Sequence, residues 1–339
     1  MSMQELESVA QAMVAKGKGI LAADESMGTI QRRFESIKIE NSDKNRQAYR
    51  DMLFTTKGIE EAISGVILFD ETIRTKAIDG TPFPQVLSKK GVMPGIKVDK
   101  GPVNIPFFDG ETVTEGLDGL RARVKEYREL GAKFAKWRAV ITIGDGIPTY
   151  NCLEENAHAL ARYAALCQEG GLVPIVEPEV LLDGNHTIER CEEVTEKTLQ
   201  ITFDALMKQH VHLEGMILKP SMVVSGKDNP RQAGIDEVAE RTIRCLKRTV
   251  PGAVPGIAFL SGGQSAVSAT EHLNKMNQLG PHPWQVSFSY ARALQDPALK
   301  AWKGEAGNVA AAQKIFYHRA KMNSAARSGS YTAAQEKAA

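Results

Sequence analysis

The sequence contains few cysteines and no long apolar run, and both absences limit what the protein can be. Four cysteines occur in 339 residues, none in a CxxC spacing, so we expect reduced thiols rather than disulfides or a zinc site. No apolar stretch approaches the roughly 20 residues that a membrane-spanning helix needs. The formal net charge of +1 argues against broad electrostatic binding to nucleic acid or anionic membranes.

The sequence also lacks an internal linker and a metal-binding pattern. No Pro-, Gly- or Ser-rich segment divides it, so we predict one domain over residues 1–326 and a short flexible tail over residues 327–339. The seven histidines show no spacing such as HExxH, and we expect neither a metal nor a cofactor. The N-terminus carries Glu5 and Glu7 without an apolar signal core, which favours an extra first helix and a cytoplasmic protein, or a plastid protein that has lost a transit peptide.

Short apolar runs alternate with longer helical patterns along the chain, which predicts a parallel sheet with right-handed crossovers. Eight repeats favour an α/β fold of the (β/α)8 or TIM-barrel type. An open doubly wound sheet is the alternative, but it usually has a glycine-rich loop after its first strand, which this sequence lacks. The predicted strands are 19–23, 65–69, 93–98, 134–139, 172–176, 215–218, 256–260 and 284–290, and the helices lie near 46–57, 114–130, 152–169, 187–209, 235–248, 265–279 and 297–325.

Ionisable residues recur at the C-terminal ends of the predicted strands, where the active sites of TIM barrels lie. Side chains two residues apart share a face of a strand, and each of these residues follows apolar residues or glycine on its own face. One charged strand end is usually a solvated polar residue. Five such ends favour a common site, with structural salt bridges at the barrel mouth as the alternative. The residues on these faces are Asp24, Lys97, Asp99, Lys136, Arg138, Glu177, Glu179 and Lys219.

Lys219 is the most informative of these residues. It follows the apolar run 215–218, where an ammonium group is costly unless it has a partner or does chemistry. A partly desolvated lysine near a second cation can act as a nucleophile toward carbonyl groups. Glu177 would supply acid–base catalysis. Nearby lysines and apolar surroundings move a carboxyl pKa in opposite directions, so the sequence leaves the direction for Glu177 open.

Two groups of residues predict anion binding on opposite sides of the barrel mouth. The segment 261–263 follows the seventh strand and precedes a helix, so its backbone N–H groups can turn toward an anion. An ordinary turn with Ser265 as helix cap is the alternative. Arg292 follows the eighth strand, and the loops after strands seven and eight form the recurrent phosphate site of this fold. Together with the cations of strands three and four, these groups suggest a substrate with a phosphate at each end and a carbonyl between them.

Seven motifs carry a resemblance to a known family: GILAADES (19–26), GIKVDKG (95–101), FAKWR (134–138), PIVEPE (174–179), ILKP (217–220), FLSGGQS (259–265) and FSYAR (288–292). Over roughly residues 5–325 the chain closely resembles class I fructose-1,6-bisphosphate aldolases. The resemblance implies a lyase that reversibly cleaves this sugar bisphosphate to glycerone phosphate and glyceraldehyde 3-phosphate, and a homotetramer. Another Schiff-base sugar-phosphate aldolase or transaldolase, and a catalytically silent barrel scaffold, are the alternatives.

The resemblance also implies residue roles. Lys219 would form a Schiff base with the substrate ketone, Glu177 would transfer protons, and Asp24 would orient Lys219 and the hydroxyl that loses its proton. Lys136 would keep Lys219 neutral by repulsion, and Glu179 joins the expected catalytic group. The implied substrate contacts are Ser261, Gly262, Gly263, Ser289, Ala291 and Arg292 at the ketone-end phosphate, Lys97, Ser26 and Thr29 at the other phosphate, and Arg33 and Arg138.

The sequence departs from the family pattern in two places. Ala291 stands where many members have glycine, although its backbone N–H is retained. Many eukaryotic members end in a tyrosine that reaches the active site, whereas this sequence ends in Ala338-Ala339 and its last aromatic residue is Tyr331. We predict that Tyr331 packs on the last helix rather than over the barrel mouth.

Overall fold

The computed structural model describes residues 2–337 as alternating strands and helices. The strands are β1 (Gly19–Ala23), β2 (Ile63–Leu68), β3 (Met93–Lys97), β4 (Gly101–Asn104), β5 (Thr112–Glu115), β6 (Phe134–Ile141), β7 (Val173–Val180), β8 (Ile217–Leu218), β9 (Gly256–Phe259) and β10 (Gln285–Tyr290). The helices are α1 (Met3–Met13), α2 (Met27–Ser36), α3 (Asp43–Thr55), α4 (Asp70–Arg74), α5 (Phe83–Lys89), α6 (Leu120–Glu129), α7 (Tyr150–Glu169), α8 (Ile188–Lys208), α9 (Ile235–Thr249), α10 (Ala266–Gln278), α11 (Arg292–Trp302), α12 (Val309–Arg327) and α13 (Ala333–Glu336).

Eight parallel strands close into a barrel in the order β1-β10-β9-β8-β7-β6-β3-β2. Closure occurs because β1 pairs with β2 on one side and with β10 on the other, where Ile20 lies opposite Ser289. The (β/α)8 prediction is therefore confirmed, and the open doubly wound sheet is wrong. No helix among residues 2–337 is long and apolar enough to span a membrane.

A small antiparallel hairpin, β4–β5, lies outside the barrel and was not predicted. Its strands are four residues each, and Thr114 is the only buried residue among them, so they show no buried apolar pattern that sequence reasoning could detect. The helix predicted from residue 114 begins at Leu120 instead. Gly116 turns the chain between hairpin and helix with φ of +129°, and a Cβ there would lie 3.0 Å from the backbone nitrogen of Lys100.

The strand ends differ from the sequence prediction at the centre of the expected site. β7 runs to Val180, so Glu177 and Glu179 lie within a strand rather than after it. β8 is only two residues long, and Gly215 belongs to a short 3-10 turn that precedes it. Lys219 still follows the last residue of β8, as expected, and its backbone N–H donates to the carbonyl of Val176 at 2.8 Å.

Apolar side chains fill the lower half of the barrel interior, and α1 closes its N-terminal end. Phe134 packs there with Ile175 and Ile217, in the same cluster as Leu6 of α1. Its ring occupies space left by glycine, since a Cβ on Gly95 would lie 2.2 Å from it. The predicted N-terminal helix therefore serves as the floor of the barrel.

Residues 328–337 make contacts that their composition did not predict. Tyr331 is only 5 % exposed, and its backbone N–H donates to Asn274 of α10 at 3.0 Å. Its hydroxyl donates to Glu336, which forms an ion pair with Arg319 of α12. Packing of Tyr331 against these helices agrees with the expectation, whereas flexibility of the tail stays a prediction. Ala338 and Ala339 lie outside the described residues.

Candidate active site

A cavity of about 780 Å³ opens at the C-terminal ends of the barrel strands. It brings together every residue of the predicted site except Gly263. The predicted residues that line it are Asp24, Ser26, Thr29, Arg33, Lys97, Lys136, Arg138, Glu177, Glu179, Lys219, Ser261, Gly262, Ser289, Ala291 and Arg292.

Four charged side chains form a continuous chain of ion pairs at the bottom of this cavity. Lys219 Nζ lies 3.1 Å from Glu177 Oε1, and Lys136 Nζ lies 3.1 Å from Glu177 Oε2 and 2.7 Å from Asp24 Oδ2. Lys219, Glu177 and Lys136 are each at most 4 % exposed. Within residues 2–337, Glu177 Oε2 has no hydrogen-bond donor, so its contact with Lys136 is Coulombic. The amine predicted to be the nucleophile therefore touches a carboxylate that can exchange protons with it.

The charges in this row of ion pairs decide the direction in which the pKa of Glu177 shifts, which the sequence left open. Burial alone would raise the pKa of Glu177, but attraction to Lys136 and Lys219 outweighs burial and holds that pKa below its usual range. The same balance holds the pKa of Asp24 well below its usual range. Burial opposes the charge of Lys136, yet Asp24 and Glu177 keep its pKa above the ordinary lysine value. Both carboxyl groups are therefore ionised near neutral pH and ready to accept protons.

Glu179 contacts a different partner from the one implied by a catalytic role. Its carboxylate pairs with the Arg138 guanidinium, and among residues 2–337 it makes no ion pair with Lys219. Burial opposes the charge of Arg138, but Glu179 raises the pKa of the guanidinium above its ordinary value. Asp99 supports this rim by accepting the backbone N–H of Arg138 at 3.2 Å and by pairing with Lys97. Glu179 thus holds the rim arginine in place.

The loops after β9 and β10 form one side of the cavity, the side predicted to bind an anion. Gly262 and Gly263 have φ of +56° and +89°, a region that glycine adopts without strain. A Cβ on Gly263 would lie 3.3 Å from Arg292 Nη2, so this residue lies behind the arginine instead of lining the cavity. Ser289 Oγ is buried and has no hydrogen-bond partner in the described chain. Arg292 begins α11 and is exposed to the cavity.

The N-terminus of α2 forms the other side. Ser26 is the N-cap residue, but its side chain bonds to Thr29 Oγ1 at 3.2 Å rather than capping the helix. The N-terminus of α2 therefore lies beside the cavity without a side-chain cap, an arrangement that favours an anion there.

Sequence reasoning missed the role of Glu25, which follows Asp24 in the chain but pairs with arginines instead of Lys136. Glu25 is buried between Arg33 and Arg50, with ion pairs of 2.5 Å to each. Gln295 of α11 donates to Glu25 at 2.9 Å. The signal for this role was the second acidic residue that directly follows Asp24 in the GILAADES motif.

Comparison with known proteins decides the family. The model of the family described as class-I fructose-bisphosphate aldolase matches residues 5–339. The chain belongs to this family. It is 60 % identical over 332 residues to a probable class 1 fructose-bisphosphate aldolase of Xanthomonas campestris, covering 98 % of this chain and 99 % of the relative. A Dictyostelium discoideum fructose-bisphosphate aldolase is 55 % identical, with 97 % and 93 % covered.

A solved structure agrees with these relatives. A Plasmodium falciparum fructose-bisphosphate aldolase, crystallised with TRAP and a small-molecule inhibitor, superposes with a TM-score of 0.96 at 52 % identity. The alignment covers 97 % of this chain and 95 % of that one. The resemblance seen in the motifs is confirmed, and this class I aldolase is an enzyme that cleaves fructose bisphosphate. A transaldolase and a silent scaffold are therefore set aside.

Proposed function

We propose that Lys219 of this aldolase forms the Schiff base with the substrate ketone. The observation that carries the proposal is the 3.1 Å contact between Lys219 Nζ and Glu177 Oε1 at the bottom of the cavity. Glu177 is ionised because Lys136 and Lys219 hold its pKa low. It can therefore take a proton from Lys219 as the amine nitrogen attacks the carbonyl carbon.

The proton that Glu177 accepts is then available for the next step. Attack on the ketone gives a carbinolamine, whose hydroxyl takes its proton from the attacking nitrogen. Glu177 then donates the proton that it accepted to this hydroxyl, which departs as water. The product is an iminium between Lys219 and the sugar. Glu177 thus acts first as a base and then as an acid, which fits a single carboxylate beside the amine.

Cleavage of the C3–C4 bond follows from the iminium. The electron pair of this bond moves toward the iminium nitrogen and leaves an enamine, while the C4 oxygen becomes an aldehyde and gives up its proton. Asp24 is the proposed acceptor, since its carboxylate is ionised and lies 2.7 Å from Lys136. Lys136 stabilises the negative charge on both carboxylates between these steps.

The two sides of the cavity supply the proposed phosphate sites. Ser261, Gly262, Ser289, Ala291 and Arg292 would bind the ketone-end phosphate, and Gly263 would support Arg292 from behind. Unused donors favour this side: Ser289 Oγ is free within the described chain, and Arg292 makes no ion pair there. The proposed contacts of the other phosphate are Lys97, Ser26 and Thr29, with Arg33 and Arg138 as further substrate contacts.

Assembly and location complete the proposal. We expect a homotetramer in the cytoplasm. The tetramer follows from the family resemblance, and the location is supported by a relative named as cytosolic in Arabidopsis thaliana, 55 % identical over 329 residues. Sedimentation equilibrium of the full chain measures the assembly directly.

Trapping with borohydride tests the central proposal. Fructose 1,6-bisphosphate plus sodium borohydride should reduce the Schiff base and add a stable three-carbon phosphate to the peptide that contains Lys219. Mass spectrometry of the digested protein locates the adduct. The matched control is Lys100→Met, a lysine of the cavity rim that makes no ion pair in the described chain.

Lys219→Met should abolish the adduct, whereas Lys100→Met should retain it. A modification found on any other lysine would show that the nucleophile has been misassigned.

A further inference from the structure

The cavity continues past the ion-pair chain into a cleft between α2 and α11. Arg292, Asp296 and Lys300 are spaced four residues apart and line this cleft from one face of α11. Arg32 and Arg33 line it from α2. Asp296 is the only acidic residue of α11, and the proposed catalytic and phosphate contacts leave it without a role.

Asp296 differs from the other carboxylates of the cavity in its lack of a partner. Six carboxylates line the cavity, and five of them lie within ion-pair distance of a lysine or arginine. Across residues 2–337, Asp296 makes neither an ion pair nor a side-chain hydrogen bond. The five paired carboxylates are Asp24, Glu25, Asp99, Glu177 and Glu179.

The surroundings of Asp296 combine cations with partial burial. Burial raises the pKa of Asp296, even though Arg33, Arg292 and Lys300 attract its charge. The charged and titratable groups that face it are Arg292 and Lys300 on its own helix, Arg33 of α2, Glu25 in the preceding loop and Tyr49 of α3. No cation is close enough to neutralise Asp296 directly, so its charge acts on whatever occupies the cleft.

We propose that Asp296 sets the affinity of the ketone-end phosphate site, because its carboxylate opposes the phosphate that Arg292 binds. This inference rests on the proposed role of Arg292. A phosphate dianion and an ionised carboxylate on adjacent turns of one helix repel each other. Binding of phosphate therefore favours the protonated form of Asp296. By linkage, a lower pH favours binding through this group.

The pH dependence of KM in Asp296→Asn tests the inference. We expect KM for fructose 1,6-bisphosphate to fall by about three- to tenfold relative to the unchanged enzyme at about pH 8.5, where Asp296 is ionised. The two KM values should converge as the pH falls through the raised pKa of Asp296. The ratio of the two enzymes is the informative quantity, because the substrate phosphate itself titrates near about pH 6 and affects both equally. The value of kcat should stay within about twofold.

Three further variants make the result specific. Asp296→Glu should keep the pH dependence of the unchanged enzyme, since it keeps the carboxylate. Lys300→Gln should raise KM, the opposite of Asp296→Asn. Asp204→Asn, an exposed carboxylate of α8 outside the cavity, should change nothing at any pH.

Two results would overturn the inference: a KM ratio of one at every pH, or a reduced ratio that does not vary with pH. Arg292→Ala, measured alongside, distinguishes a failure of this inference from a failure of the proposed phosphate site. If Arg292→Ala raises KM and Asp296→Asn has no effect, only this inference fails. If Arg292→Ala leaves KM unchanged, the phosphate assignment fails and this inference fails with it.

Discussion

The lower and upper halves of the barrel interior are built by the same strands but held together by different forces. In the lower half, Phe134 and Ile175 pack against the apolar face of α1. Two residues further along each of these strands, Lys136 and Glu177 join a buried chain of ion pairs with Lys219. The period of two along a strand places apolar and charged side chains on one continuous inner surface.

The difference shows where the barrel gains stability and where it gains reactivity. Burial of apolar side chains stabilises the lower half at about 25 cal/mol per Å² of apolar surface. Buried ion pairs contribute little net stability, because desolvation offsets most of the Coulombic attraction. Their contribution is to hold Asp24 and Glu177 ionised next to Lys219. The upper half therefore tolerates a stability cost that the lower half offsets.

Substitution of Lys219, the proposed nucleophile, should separate reactivity from stability most clearly. Lys219→Met is expected to lower turnover by on the order of 10⁵-fold, because no other amine takes its place. The free energy of unfolding should change by no more than about 1 kcal/mol, since Glu177 keeps Lys136 as a partner. Steady-state kinetics and urea denaturation measure the two quantities. Turnover within tenfold of the unchanged enzyme would contradict the division of roles.

In the lower half, a substitution is expected to change stability instead of reactivity. Phe134→Ala removes a fully buried ring that fills space beside Gly65 and Gly95. The loss should be about 3–5 kcal/mol of unfolding free energy. Phe107→Ala is the matched control, because Phe107 is fully exposed, and its unfolding midpoint should not move. Equal effects of the two variants in urea denaturation would mean that Phe134 does not support the barrel.

Within the upper half, the unpaired Arg292 should behave differently from the paired lysines. Arg292→Ala is expected to raise KM by about 10- to 100-fold, because the variant loses one or two hydrogen bonds to a charged phosphate. Fructose 1-phosphate and the bisphosphate should be affected alike, because both carry the ketone-end phosphate. An effect confined to the bisphosphate would place Arg292 at the other end of the substrate.

The smallest effect is expected outside both halves. Removal of residues 333–339 takes away Glu336 and its contacts with Tyr331 and Arg319, and none of these three residues lines the active-site cavity. Turnover should stay nearly unchanged. Carboxypeptidase trimming of a relative that ends in tyrosine is the comparison, and it should slow that enzyme. A tenfold fall in turnover of the truncated chain, about 1.4 kcal/mol of barrier, would show that the tail takes part in catalysis.

Much of the fold could be predicted from the sequence because its signals are local. Alternating apolar runs and helical patterns predicted all eight barrel strands, and the extra first helix was also expected. The hairpin of β4 and β5 could not be predicted, since its strands bury only Thr114 and carry no periodic apolar pattern. The predicted end of β7 and the predicted start of β8 were wrong. Strand length depends on pairing with neighbouring strands, which a single sequence does not show.

For the candidate site, the sequence by itself determined which residues share the inner face of the barrel. Spacing of two along each strand placed Asp24, Lys136, Glu177 and Lys219 there, and the glycines of 261–263 marked the loop that we propose binds an anion. Only the tertiary structure decided how these groups pair. In the folded barrel, Glu179 forms an ion pair with Arg138, Gly263 lies behind Arg292, and the pKa of Glu177 is lowered instead of raised. The physical reason is that pairing and desolvation depend on distances between strands, which barrel closure sets and the order of residues along one strand does not.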